Sequence, residues 1–217
     1  MTDNKDIAVA FLASEAVQMI WPALDKPQAF KQRPGSEGKG EAKYKAAFII
    51  PADNVDLPVI QAAIKQTCKN LFGAAGVKGD LLLPLKSGDE FLADLKEGAR
   101  VAPKIRQLLV GNYLLQTHTA IPPLLFFPDG SVVKTEDPLV MRGFKQKFYS
   151  GALARFEVNF KAYKGTAAMR SGVTAYLQSA FVVGGGDRLG GQDEDATRAR
   201  YGLKGHVVEE DPTETNW

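Results

Sequence analysis

The chain has one cysteine, Cys68, and two histidines, His118 and His206, in 217 residues. A lone thiol can neither close an internal disulfide nor build a thiolate metal cage, and its place in an apolar helical pattern suits a small core residue better than a reactive group. His118 has no Ser, Cys or carboxylate partner signalled by the pattern around it, which favours a structural histidine over a catalytic one. No apolar run approaches the roughly 18 residues that a membrane-spanning helix needs. Asp3 and Asp6 stand where a secretory signal would carry basic charge, so the expected location is the cytoplasm, without a membrane partner. Phosphate-binding loops are missing too. Gly73, Gly76 and Gly79 follow a helical pattern instead of preceding one, and GGGDRLGG at 184–191 fits neither nucleotide-binding spacing, so no cofactor is implied.

Charge is present, and it is unevenly placed. Residues 193–217 hold seven acidic against three basic side chains, so the first 192 residues carry a net +6 although the whole chain carries +2. Within 142–170 seven cations (Arg142, Lys145, Lys147, Arg155, Lys161, Lys164, Arg170) face a single Glu157, interleaved with Phe144, Phe148, Tyr149, Phe156, Phe160 and Tyr163. Cations that follow phosphates and rings on which unpaired bases stack are what a single-stranded nucleic acid requires. The plainer alternative is a half-buried strand with a solvated basic face.

Alternation sorts this stretch. Ala152, Ala154, Phe156, Val158, Phe160 and Ala162 fall on one face of a strand, and Leu153, Arg155, Glu157, Asn159, Lys161 and Tyr163 on the other. Phe156 and Phe160 therefore belong to the core, while Arg155, Lys161 and Tyr163 are free to meet a ligand. Upstream, Phe144, Phe148 and Tyr149 lie in a less regular segment that lends one or two of them to the core. Over 173–183 a strand is expected with Val173, Ala175, Leu177, Phe181 and Val183 on one face and Thr174, Tyr176 and Gln178 on the other. Tyr176 extends the platform of Tyr163 if the two strands are neighbours.

Earlier in the chain, Ile7, Val9 and Phe11 open a first strand, which either continues towards Ile20 or turns at Ser14 and Glu15. Trp21 to Glu41, with three prolines, reads as a long loop carrying Lys26, Phe30, Lys31, Arg33 and Lys39. A strand follows over 42–50, with Tyr44, Phe48 and Ile50 on one face and Lys43 and Lys45 on the other. Asp56 and Pro58 start a helix with a stripe of Ile60, Ala63, Ile64, Thr67 and Leu71, stopped by Gly73. Ser87-Gly88-Asp89 reads as a turn and 108–119 as a strand with a bulge or bend at Gly111. Pro122, Pro123 and Pro128 confine LLFFPDG to a loop or an edge. Beyond Gln192 apolar periodicity ends, which predicts a disordered acidic tail.

Short strands, one inserted helix and long basic loops are compatible with a mainly β, OB-type fold, a five-stranded Greek-key barrel. EAKYKAAFIIPADN, LPLKSGDE, FYSGALARFEVNFKAY and GGGDRLGG, in that order over 42–191, resemble the bacteriophage single-stranded-DNA-binding proteins of the DUF2815 group. That resemblance implies an OB-fold DNA binder of phage replication or recombination without catalytic activity. The connection AYKGTAAMRSG departs from the group in lacking an asparagine-rich turn. The closing EEDPTETNW is similar to the acidic, aromatic-ended tails of T7-like phage single-stranded-DNA-binding proteins. An acidic flexible segment of this kind occupies a basic groove when DNA is absent and offers its aromatic end to partner proteins when DNA displaces it.

The expected organisation is thus a nucleic-acid-binding domain over 1–191 and a flexible tail over 192–217. The expected function is weakly sequence-selective binding of single-stranded DNA (ssDNA) during phage replication, recombination or repair. Lys43, Lys45, Arg155 and Lys161 are assigned to phosphates, and Lys31, Arg33, Lys145 and Lys147 to the surrounding field. Tyr163, Tyr176 and one of Tyr44, Phe30 or Tyr149 are assigned to base stacking. Glu209, Glu210, Asp211, Glu214 and Trp217 form the partner-binding tail, directed at replication or recombination proteins; a homo-oligomer is left open. Two other classes stay in view. A phage structural or scaffold protein would self-assemble without preferring single strands. A metal-dependent nuclease would need converging carboxylates, whereas Asp80, Asp89, Glu90 and Asp94 sit among turn signals without a histidine or lysine motif, and no metal is expected.

Overall fold

Period-two alternation supplies most of the regular structure in a computed structural model that describes residues 8–29, 41–73, 81–95, 99–134, 138–166 and 170–189. The strands are β1 (Val9–Leu12), β2 (Val17–Gln28), β3 (Lys43–Ile50), β4 (Leu85–Ser87), β5 (Tyr113–Thr119), β6 (Leu124–Phe126), β7 (Leu153–Tyr163) and β8 (Gly172–Gly184). The helices are α1 (Leu57–Phe72), α2 (Gly88–Ala93), α3 (Pro103–Leu109) and α4 (Pro138–Lys147). The strands form one sheet in the order β1-β7-β2-β3-β5-β8-β6, with β4 added to β5. Because β7 also pairs along its whole length with β8, strands β2, β3, β5, β8 and β7 close into a ring.

Inside the ring lie Met19, Leu24, Phe48, Ile50, Leu115, Phe156, Val158, Phe160 and Leu177, all at most 2% exposed. The Phe156 ring stacks on Phe48 at 4.1 Å and 21° and meets Phe11 at 5.9 Å, so one β7 side chain ties β3 and β1 together across the interior. Such aromatic pairs add to the free energy of burying the rings themselves. Helix α1 lies against β1, β7 and β8 and adds Leu57, Ile60, Ala63 and Ile64 to this core. Its half-buried Cys68 packs against the same core, where burial raises the thiol pKa.

Asp56 stands at the helix start as expected but makes no side-chain cap. Its carboxylate instead accepts from Ser14 N (2.8 Å), Ser14 Oγ (2.7 Å) and Glu15 N (3.2 Å), while Asn54 Nδ2 donates to Glu15 Oε2 (2.9 Å). The chain does turn at Ser14 and Glu15, and this clasp holds the β1–β2 corner to the entry of α1.

A second cluster lies on the outer face of the ring. Ile20, Ala47, Ile49 and Leu114 pack there under Ile105 and Leu109 of α3, joined by Phe91 and Leu92 of α2. The two short helices thus cover part of the outer surface of β2, β3 and β5. No helix among the described residues is long and apolar enough to cross a membrane.

Several elements differ from the sequence reading. Trp21 to Gln28 continues β2 instead of starting a loop, because Ala23 and Gln28 pair with Lys45 and Lys43; residues 30–40 lie outside the described part. Ser87-Gly88-Asp89 is the start of α2, with Ser87 Oγ accepting from Glu90 N at 3.1 Å, so the serine is a helix cap and not a turn residue. The strand expected from Leu108 begins only at Tyr113, since Leu108 and Leu109 complete α3 and Gly111 turns the chain with φ 70°. The segment 138–147 is helical, and Phe144 and Phe148, four residues apart, stack at 4.5 Å and both enter the core. Four helices therefore replace the single inserted one among the described residues. In β8 the register passes from Val158↔Leu177 to Glu157↔Ser179, leaving Gln178 unmatched. That bulge inverts the alternation: Ala180 and Val182 are buried, whereas Phe181 and Val183 turn outward. LLFFPDG does supply an edge strand, β6, followed by a turn at Gly130.

Truncating the ring that spans the interior, Phe156→Ala, is expected to lower the unfolding free energy by about 3–5 kcal/mol, read from the urea midpoint. A loss below about 1 kcal/mol would remove Phe156 from its central role.

Candidate nucleic-acid interface

The part of the outer face left open by α2 and α3 is built by register. Lys45 on β3 lies opposite His118 on β5, His118 opposite Tyr176 on β8, and Tyr176 opposite Asn159 on β7. One step along the same two strands, Thr174 faces Lys161, and a further step brings Gly172 opposite Tyr163. Lys43 stands two residues from Lys45 on the same face of β3. All of these polar side chains are half-buried. The row crosses four strands, and its cations and rings share one face.

His118 and Tyr176 meet edge to face at 5.8 Å and 64°. Burial, and next the charges of Lys43 and Lys45, push the His118 pKa below its usual value, so the imidazole is neutral at pH 7. The Tyr163 hydroxyl is pushed upward, first by burial and next by Tyr176, against an opposing effect of Arg170. Tyr163 reaches across its neighbour because position 172 has no side chain: a Cβ there would stand 2.8 Å from Tyr163 Oη and 2.3 Å from Leu82 O. Glycine at this point lets the phenol lie along the sheet.

The structure brings Lys43, Lys45, Lys161, Tyr163 and Tyr176 together. Arg155 shares the face of β7 but stands six residues from Lys161, about 20 Å along the strand. Its Nε donates to Ala13 O at 2.9 Å, and it lines a pocket of about 330 Å³ with Leu12, Phe126, Ser179 and Phe181. Between the two regions Glu157 accepts from Ser179 Oγ at 3.1 Å. Tyr44 points the other way, packed against the interior cluster. Tyr149 is engaged locally: its hydroxyl donates to Gly186 O (2.7 Å) and accepts from Gly186 N (3.1 Å), and Arg188 sits 4.3 Å over its ring. Lys145 and Lys147 are exposed in the last turn of α4. Phe30, Lys31, Arg33 and the tail residues Glu209, Glu210, Asp211, Glu214 and Trp217 lie outside the described residues.

His118, whose sequence context marks it as a structural histidine, lies at the centre of the face. The available signal was the spacing of Gln116 and His118, two polar residues with the strand period opposite the lysine strand. Of the carboxylates weighed for a nuclease, Asp89 accepts from Gly111 N (3.2 Å), Asp94 pairs with Lys86 (3.0 Å), and Asp80 lies outside the described residues. Among the described residues no group of three His, Cys, Asp or Glu side chains is placed to hold a metal ion.

The electrostatics of His118 have a direct readout. An imidazole whose folded pKa lies below the unfolded value of 6.5 binds its proton less readily when folded, so stability falls as pH drops through 6.5 towards the folded value. In an NMR titration of the imidazole, replacing Lys43 and Lys45 by Gln is expected to move the His118 pKa upward; an unmoved value would leave burial as the sole cause.

The fold is shared with proteins of known structure. The chain is similar to the single-stranded DNA-binding protein from bacteriophage Enc34, with a TM-score of 0.60 and 18% identity over 86% of this chain and 87% of that one. Against the same phage protein in complex with ssDNA the TM-score is 0.59, with 19% identity over 81% and 87% of the two chains. Against gp2.5, the single-stranded DNA binding protein encoded by bacteriophage T7, it is 0.53, with 14% identity over 96% and 100%. At these identities the likeness is one of fold. No curated protein matches the sequence. Residues 14–210 match the family of the Enterobacter phage Enc34 ssDNA-binding protein, and the chain belongs to that family.

Proposed function

We propose that this chain is a non-catalytic ssDNA-binding protein of phage DNA metabolism, and that its ring of strands is an OB barrel. The observation that carries the proposal is the row Lys45, His118, Tyr176 and Asn159 flanked by Lys161 and Tyr163, which sets cations beside rings on a single open face. The five ring strands in chain order are β2, β3, β5, β7 and β8, and β5 runs parallel to β8 while the other ring pairs are antiparallel. This supports a Greek-key barrel, in which the face of the second and third strands, here β3 and β5, binds oligonucleotides.

In this reading Lys43, Lys45 and Lys161 neutralise phosphates while Tyr176 and Tyr163 stack on bases, a mode that tolerates any sequence. Lys31, Arg33, Lys145, Lys147 and the more distant Arg155 add to the attracting field. Tyr44 is packed inward and Tyr149 is held by Gly186 and Arg188, so neither extends the platform of Tyr163 and Tyr176. The body over 1–191 carries DNA in the host cytoplasm. The acidic segment beyond it competes for the same face and, once displaced, offers Trp217 to replication or recombination proteins.

Fluorescence anisotropy with labelled oligo-dT tests the assignment. Each stacked base contributes about 1–3 kcal/mol, so Tyr176→Ala is expected to weaken binding by about tenfold or more without altering its salt dependence. Lys45→Ala is expected to lower the slope of log affinity against log salt by about 0.7. Unchanged affinity and slope in both variants would sink the platform. Removal of residues 207–217 is expected to tighten binding at low salt; weaker binding would eliminate tail competition.

A further inference from the structure

Beyond the platform, β2 carries an exposed tryptophan in a backbone conformation that a side chain of its size rarely adopts. Trp21 has φ 49°, the one positive value outside glycine among the described residues, and is 38% exposed. It sits in a bulge: Ile20 pairs with Ala47 and Ala23 with Lys45, so β2 spends one residue more than β3 over this step. Glycine or asparagine would occupy such a position without steric cost. The indole is retained, with its backbone N–H donating to Ser150 Oγ at 2.9 Å and its ring tilted against Phe91 of α2 at 5.9 Å and 43°. Phe91 belongs to the helix layer on the outer face, so the indole lies on the outer side of the ring.

The register places Trp21 beside the end of the platform. Asn159, Tyr176, His118 and Lys45 pair across β7, β8, β5 and β3, and Ala23, two residues from Trp21, is the β2 partner of Lys45. Along the sheet through β5 and β3, Tyr176 and the β2 bulge are separated by three strand spacings, an arc of about 14 Å. We infer that Trp21 is a further base-stacking residue at the β2 end of the same ssDNA path, an inference that rests on the DNA-binding role given to the platform. The indole offers a stacking surface at the margin of the helix layer, where α2 contributes Asp89 and Glu90 in its first turn. Those carboxylates disfavour phosphates close by, so contact at this end is made by the ring and not by charge. Strain held where a ligand binds is a recurring property of such sites.

The test uses Trp21→Gly in the full chain, since glycine accepts the positive φ without strain and removes only the ring. Binding to oligo-dT is expected to weaken on the order of tenfold with an unchanged salt slope and an unchanged thermal midpoint. With Trp217→Phe as the reference protein, Trp21 is the only tryptophan, and its emission is expected to be quenched on titration with oligo-dT. Unquenched emission, or unchanged affinity in Trp21→Gly while Tyr176→Ala weakens binding, overturns the role of Trp21 and leaves the platform standing. If Tyr176→Ala also binds normally, the platform itself fails. Should Trp21→Gly fold poorly, Trp21→Phe in the full chain provides the second reading: it keeps an aromatic ring and is expected to retain most of the affinity, and a loss as large as that of Tyr176→Ala would overturn stacking at this site.

Discussion

The closure of the ring rests on β7, and on Phe156 in particular. A closed ring of five strands has little room inside, so the side chains that fill it come from every ring strand and interlock across the interior. Phe156 meets Phe48 and Phe11, and the alternation that sends it inward sends Arg155, Glu157, Asn159 and Lys161 outward. The core and the polar outer face are therefore two consequences of one pleat. A change that shifted β7 by one residue would exchange them.

The open outer face places charge beside a titratable ring. Lys43 and Lys45 stand near a half-buried imidazole that they help keep neutral. A polyanion laid near these lysines would offset their effect on the imidazole and make a proton on His118 less costly. The neutral Asn159, Thr174 and Gln116 between the charges provide hydrogen-bonding groups without adding to the repulsion.

How much of this the sequence disclosed depended on the length and regularity of each element. The eleven residues of β7 alternate without interruption, and their inward and outward faces were legible in full. Strand β8 was legible only as far as Leu177, because an unmatched Gln178 leaves no compositional mark and reverses every position after it. The short α2 has six residues, too few to display a helical period, so its Ser87 cap looked like a turn. The prolines at 22 and 27 suggested a loop where β2 in fact continues through a bulge, with its pairing to β3 interrupted between Ile20 and Ala23. Of the site, Lys45, Lys161, Tyr163 and Tyr176 followed from alternation. The pairing of β8 with β5, which brings His118 beside Tyr176, is a parallel contact between strands far apart in the chain, and local patterns carry no trace of it.

The unmatched Gln178 also divides β8 into two segments of opposite phase. Before it, Tyr176 faces outward beside charged and polar neighbours; after it, Phe181 faces outward beside Leu12, Phe126 and Arg155. One continuous strand thereby displays two chemically distinct surfaces in succession. Each can drift in sequence without disturbing the other, provided the count of residues between them is kept. Residue count, more than residue identity, sets which surface each half of this strand displays.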